Sequence, residues 1–272
     1  IIEHNNRSFT AKNVVRERIP DNITYKKQNI REFYSELFGE ALAEYNSRMK
    51  RRDRIIPDYY EHIRKGKQEK TFEEIVVQFG DINDCSVGSE NGELAKQMLD
   101  QYMRGFEARN PNLKVFNAVM HLDEATPHLH IDFVPITHTG SRGLSTRVSM
   151  SGALREMGFA PENKFLTEWV AWSDSERAVM EEILREHGLY RDDKNVHREH
   201  WSVDEYKRKK QAAQEIRSMN DHINALKKKS DDSYTSEEIA AIKNQNDYMR
   251  SEITKRDEKI AALSRQVNAA FV

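Results

Sequence analysis

Residues 113–136 read LKVFNAVMHLDEATPHLHIDFVPI, and this stretch decides the fold. Leu113–Met120 is apolar on both faces, the pattern of an interior strand, and Pro127–Ile136 forms a second strand after a short turn. Successive strand side chains point to opposite faces. The second strand therefore separates two chemistries: Leu129, Ile131 and Phe133 make an apolar face, while His128, His130 and Asp132 project from the other. His121 ends the first strand, and the turn through Pro127 folds it back against His128 and His130. Three imidazoles are expected to converge there, at the end of a hairpin. Such a cluster suits a divalent cation with three nitrogen ligands and open positions for substrate. A single strand histidine is ordinarily a core or surface residue; three within ten residues, on the polar face of a strand whose other face is apolar, carry the reading. Asp123 and Glu124 lie in the turn, close enough to orient an imidazole N–H or to move a proton.

Outward from the hairpin, Ile30, Phe33, Tyr34, Leu37, Phe38, Ala41, Leu42, Tyr45 and Met49 recur at helical spacing behind Asn29, a suitable N-cap. Thr71–Gly80 is rich in β-branched and aromatic residues and reads as a strand, and Leu94–Phe106 marks a second helix. Helix alternating with strand, followed by a close strand pair, predicts a mixed α/β (α+β) sheet domain. Residues 140–158 read as a polar loop feeding a short helix, with further helices at Phe165–His187 and Val203–Lys229. In the last seventy residues Ile216, Met219, Ile223, Leu226, Met249, Ile253, Ile260, Leu263 and Val267 form stripes among charged residues. This predicts a helical hairpin or coiled coil beyond about residue 207, broken at Ser230–Ser233, and able to serve as a dimerization or partner module.

The 272 residues carry 43 Lys+Arg against 45 Asp+Glu, a formal charge of −2, with 38% hydrophobic residues and a mean hydropathy of −0.84. No run approaches the roughly 18 apolar residues of a membrane span. The first residues do not read as a signal peptide, and the absence of an initiator Met leads us to expect residues before Ile1. Cys85 is the single cysteine, which excludes an internal disulfide or a cysteine zinc cage and fits a reducing cytoplasm. Near-neutral charge at first argues against a nucleic-acid partner. The distribution reverses that: residues 1–70 hold 16 basic and 11 acidic groups, and residues 71–135 hold 4 and 11. The basic excess lies in Arg48, Arg51, Arg52, Lys65 and Lys67, interleaved with Tyr59 and Tyr60. Arg142 and Arg147 sit in the later loop, and Lys207–Lys210 is a further basic strip. These are the candidate DNA-binding side chains.

HLDEATPHLH, followed by a strand ending in Val-Pro, resembles the HxDE…PHxH motif of the MobV (Pre/Mob) relaxases, plasmid mobilization proteins of the HUH endonuclease class. His4-Asn5-Asn6-Arg7, Arg18 and Asn22-Ile23-Thr24-Tyr25 resemble the family's N-terminal pattern. Leu144–Arg147, Ala153-Leu154 and Arg198–Tyr206 resemble its later elements, so the likeness spans about residues 1–207 in order. Trp201 stands where the family usually has Leu. The resemblance implies a central antiparallel sheet flanked by helices over residues 1–206, with residues 207–272 as the helical extension. It also implies an enzyme that nicks one DNA strand at an origin of transfer and stays attached to the 5′ phosphate. His4 falls at the family's nucleophile, Arg7 is suited to holding a phosphate, and Asp123 or, preferentially, Glu124 would accept or orient the histidine proton. Tyr25 remains the alternative nucleophile from generic HUH chemistry. The implied cofactor is Mn²⁺, with Mg²⁺, Co²⁺, Ni²⁺ and Zn²⁺ also compatible. The implied partners are single-stranded or hairpin DNA, a second copy through the C-terminal helices, and conjugation machinery, in a bacterial cytoplasm. Two other readings stay open: a three-histidine metallohydrolase without covalent DNA attachment, and a non-catalytic DNA-binding coiled-coil adaptor.

Overall fold

In a computed structural model, the chain is described over residues 1–138, 143–161, 166–192, 203–229 and 236–270. It divides into two units, Ile1–Asp193 and Lys194–Val272. The first unit contains α1 (Ile2–Asn5), β1 (Ile23–Lys27), α2 (Ile30–Ser47), α3 (Tyr59–Lys65), β2 (Glu73–Val77), α4 (Glu90–Arg109), β3 (Leu113–His121), β4 (His128–His138), β5 (Thr146–Val148), α5 (Met150–Glu156) and α6 (Glu168–Glu186). The second contains α7 (Val203–Lys229) and α8 (Ser236–Ala270). Among the described residues, no helix is long and apolar enough to cross a membrane.

The expected hairpin forms the centre of the sheet, whose order is β1-β3-β4-β2 with β5 on the far end of β4, every pair antiparallel. Two short strands escaped the sequence reading. In β1 the alternation is broken by a bulge between Thr24 and Lys26, and β5 has only three residues. Short or bulged strands leave too few alternating positions to register a period of two.

The helices start where their caps place them. Asn29 accepts from the backbone N–H of Arg31 and Glu32 to open α2, and Ser89 accepts from Gly92 to open α4. One face of the sheet packs Ala118, Met120, Leu129, Ile131 and Phe133 against Met98, Leu99, Tyr102 and Phe106 of α4 and Trp172 and Ile183 of α6. The other face is split. A bulge at Phe116, between Val115 and Asn117, turns that ring onto the α2 side with Val134 and Ile136, where Phe33, Tyr34, Phe38 and Tyr59 cover it. The remaining part of this face carries His121, His128 and His130, and the short α1 segment lies over it.

Candidate active site

Register brings the histidines together. His121 pairs directly with His128, and Val119 with His130, so all three imidazoles leave the same face. Ring centroids of His121 lie 5.2 Å from His128 and 4.7 Å from His130, and His128 and His130 are 5.0 Å apart. His4, on α1, completes the cluster at 5.6 Å from His121 and 5.7 Å from His130.

Each strand imidazole is held by one nitrogen. His128 Nδ1 donates to the Thr126 carbonyl at 2.8 Å, His121 Nε2 to the Asn5 carbonyl at 2.9 Å, and His130 Nδ1 to Glu74 Oε1 at 2.8 Å. These partners only accept, so in the neutral form of each ring the opposite nitrogen carries a lone pair. His121 Nδ1 and His130 Nε2 are buried with no hydrogen-bond partner. Buried lone pairs without donors, on rings oriented by carbonyl and carboxylate oxygens, are what a metal-ligating histidine presents. Among the described residues, two donor sets close to within 4.8 Å: His4-His121-His130 and His121-Glu124-His128. The three rings expected from sequence therefore pack together, while each closed set replaces one of them with His4 or Glu124. Burial, with Arg7 and the neighbouring imidazoles, lowers His121 to about 3, and burial also lowers His128 and His4. Neutral rings are the metal-binding form.

The N-terminal segment is fastened by a buried ion cluster. Asp123, fully buried, accepts from Arg7 Nε at 2.6 Å and Arg7 Nη2 at 2.5 Å, and from Asn22 Nδ2 at 2.8 Å. Arg7 Nη2 also donates to Glu124 Oε1 at 2.8 Å, and Asn13 donates to Glu124 Oε2. Arg7 has φ 53, the left-handed region, which costs roughly 1–2 kcal/mol for a non-glycine residue. The two-pronged Arg7–Asp123 pair holds that conformation. Burial pushes the Asp123 carboxyl up, but Arg7 and Asn22 more than reverse this, and it titrates below the usual aspartate value.

This geometry redistributes the expected roles. The guanidinium of Arg7 is engaged with Asp123 and Glu124 and only 6% exposed, so here it positions α1 instead of presenting a free phosphate ligand. Asp123 bonds Arg7 and Asn22 and no imidazole. Glu124 is the carboxylate nearest His4, with Oε1 3.6 Å from His4 Nε2. Tyr25 sits away from the cluster. It faces the α4 side of the sheet together with Ile23, two residues before it, and there its hydroxyl donates to Asp100 at 2.9 Å and burial raises its pKa. A phenol on the opposite face does not reach a phosphate held at the histidines.

Four side chains were missed by the sequence reading. Asn5, 1% exposed, donates to Glu74 at 2.8 Å and Asp132 at 3.0 Å while its carbonyl holds His121. Asn117 donates to Asp132 at 2.7 Å. Asn22 ties Asp123 to the Leu122 backbone, and Glu74 anchors His130. Burial raises the Asp132 carboxyl, whereas at Glu74 the bonds from His130 and Asn5 outweigh burial and lower it. The signal available for Asn5 and Asn22 was their place in the stretches His4–Arg7 and Asn22–Tyr25 that resemble the family's N-terminal pattern.

The basic candidates lie at the other end of the sheet. Arg48 caps α2 and donates to the Gly143 carbonyl; Arg51 pairs with Asp53; Arg52, Lys65, Lys67 and Arg147 are exposed. Arg147 on β5 is registered against Thr137, seven residues along β4 from His130, or roughly 23 Å at about 3.3 Å per residue. Arg142 and the Lys207 and Lys210 side chains lie outside the described residues.

Residues 2–157 match the plasmid recombination enzyme (Mob_Pre) family over more than half the chain. The chain belongs to that family. The match contains every histidine of the cluster and ends before the Arg198–Tyr206 element. No curated protein matches the chain. Similar solved structures include a Mn-bound MobM relaxase domain (MOBV; Mob_Pre) bound to a 22-nucleotide plasmid pMV158 oriT DNA at pH 5.5. It is 19% identical, covers 76% of this chain and 89% of that one, and has a TM-score of 0.44. A second MobM relaxase structure, with a 3′ thiophosphate on the DNA at pH 6.8, is 20% identical, with the same coverages and a TM-score of 0.43.

Proposed function

We propose that this Mob_Pre family member is a relaxase that nicks one DNA strand at an origin of transfer and keeps the 5′ phosphate on His4. The observation that supports it most is the meeting, on one sheet face, of His4, Glu124 and three anchored imidazoles, two of them with buried unpartnered nitrogens. His121, His128 and His130 would hold a divalent cation, Mn²⁺ first among Mg²⁺, Co²⁺, Ni²⁺ and Zn²⁺. That ion would supply charge neutralisation at the scissile phosphate. His4 attacks phosphorus, forming an N–P bond as the P–O3′ bond breaks and the 3′ oxygen leaves as a hydroxyl. Glu124, whose Oε1 lies 3.6 Å from His4 Nε2, would take the proton that the ring gives up as the bond forms and pass it to the departing 3′ oxygen, while Arg7 Nη1, 3.4 Å from the same nitrogen, holds the ring in place. Asn5 and Arg7 keep α1, and so His4, over the cluster.

The distance from the histidines to the Arg48–Arg147 end supports a substrate with a nick site at one end and a hairpin arm at the other. Arg51, Arg52, Lys65 and Lys67 extend that basic surface. We further propose that the origin is presented single-stranded at the nick, in a bacterial cytoplasm. Residues 207–272 would then mediate contact with a second copy or with conjugation proteins, and 1–206 would be the catalytic part.

Supercoiled plasmid carrying a panel of candidate origins, incubated with the protein and Mn²⁺, tests this. The expected product is a site-specific nick with protein on the 5′ end, abolished by chelation and reduced at least 10²-fold by His4→Ala, about the contribution expected of a nucleophile's removal. Full nicking by His4→Ala refutes the nucleophile. Cleavage without an adduct favours the metallohydrolase reading, and binding without cleavage favours the adaptor.

A further inference from the structure

We propose that Phe9 and Val76 form an apolar platform on which one unpaired nucleobase beside the scissile phosphate stacks, Phe9 supplying the aromatic face. The inference rests on the DNA-processing reading above. Phe9 is 51% exposed, and its ring centroid lies 6.2 Å from that of His4, tilted by 51°. The left-handed turn at Arg7, closed by the Ser8 N–H on the Glu3 carbonyl, carries the chain back so that this ring stands beside the imidazole. Val76 is 55% exposed on the edge strand β2 and is registered against His130, so its side chain leaves the sheet on the imidazole face. Exposed apolar side chains are common singly, but these two border the patch where His4, His121, His130, Glu74 and Glu124 concentrate polar groups. The polar patch suits a phosphate, and the exposed ring of Phe9 beside His4 offers a flat apolar face to the neighbouring base. A base can lie on a protein ring only when it is free of its own stack, so the platform selects single-stranded DNA at the nick. Because every base has a π face, it does so with little sequence preference.

The test compares binding of the full chain, with Mn²⁺, to an oligodeoxythymidine of about twelve nucleotides and to an abasic chain of the same length and charge. The wild type is expected to prefer the base-bearing strand by on the order of tenfold or more, as stacking of one base predicts. Phe9→Ala should lose most of that preference and leave abasic binding unchanged. Phe9→Leu, which keeps apolar volume without a π face, should behave like Phe9→Ala, and Phe9→Trp should restore the preference. A preference that survives Phe9→Ala, or a Phe9→Leu chain that binds like the wild type, overturns the platform while leaving the relaxase reading intact. A wild-type chain that binds neither strand overturns both.

Discussion

Replacing Asp123 by Asn removes one charge and almost no volume from a fully buried site, and its cost can be worked from the contacts. The carboxylate accepts two bonds from Arg7 and one from Asn22. An amide retains one oxygen, and its NH₂ must face the donors of Arg7 or Asn22. Charge-assisted bonds of this kind contribute about 1.5–3 kcal/mol each, and breaking a buried pair costs about 3–5 kcal/mol in all. Glu124 remains beside the guanidinium at 2.8 Å and takes part of the charge, which points to a loss of about 3 kcal/mol. For a unit of this size that lowers Tm by roughly 6–12 °C. Urea unfolding of the wild type and Asp123→Asn across pH measures it. The pKa of Asp123 is depressed in the folded state, so its stabilisation is present above the unfolded value, about 3.9, and is lost as pH falls through the lower folded value. The difference between the two proteins should be constant from pH 7 to about 5 and shrink below about 4. Equal midpoints at pH 7, or a difference that widens towards pH 3, would show that the Arg7–Asp123 pair does not stabilise the fold. Nicking should fall with Asp123→Asn even where the protein is folded, because the turn that carries Arg7 also positions His4.

Tyr25→Phe should leave nicking within about twofold of wild type and cost about 1 kcal/mol of stability through the lost bond to Asp100, measured by plasmid nicking and urea unfolding; loss of nicking would restore Tyr25 as a nucleophile. Glu156 accepts from Thr137, the His138 backbone and ring, and Asn112, tying the end of β4 to α5; burial raises its carboxyl, and these bonds bring it down to about 2. Glu156→Gln should therefore destabilise by about 1–2 kcal/mol above pH 5, with the difference fading as pH falls below about 4, read from thermal unfolding.

Sequence alone specified the central hairpin, the face the histidines share, and the start of α2 at Asn29. These depend on periods of two and 3.6 residues and on caps a few positions away, all local in the chain. It also located His4, through the family pattern. The tertiary structure decided which side chains serve the site. Asn5 meets Asp132 across 127 positions and Arg7 meets Asp123 across 116, and contacts of that separation leave no local pattern to read. The partner of Tyr25 was likewise hidden, because its hydroxyl meets Asp100 across 75 positions. The sequence thus showed which residues are able to do chemistry, and the packing of a seven-residue N-terminal segment onto one half of a sheet face determined which of them meet.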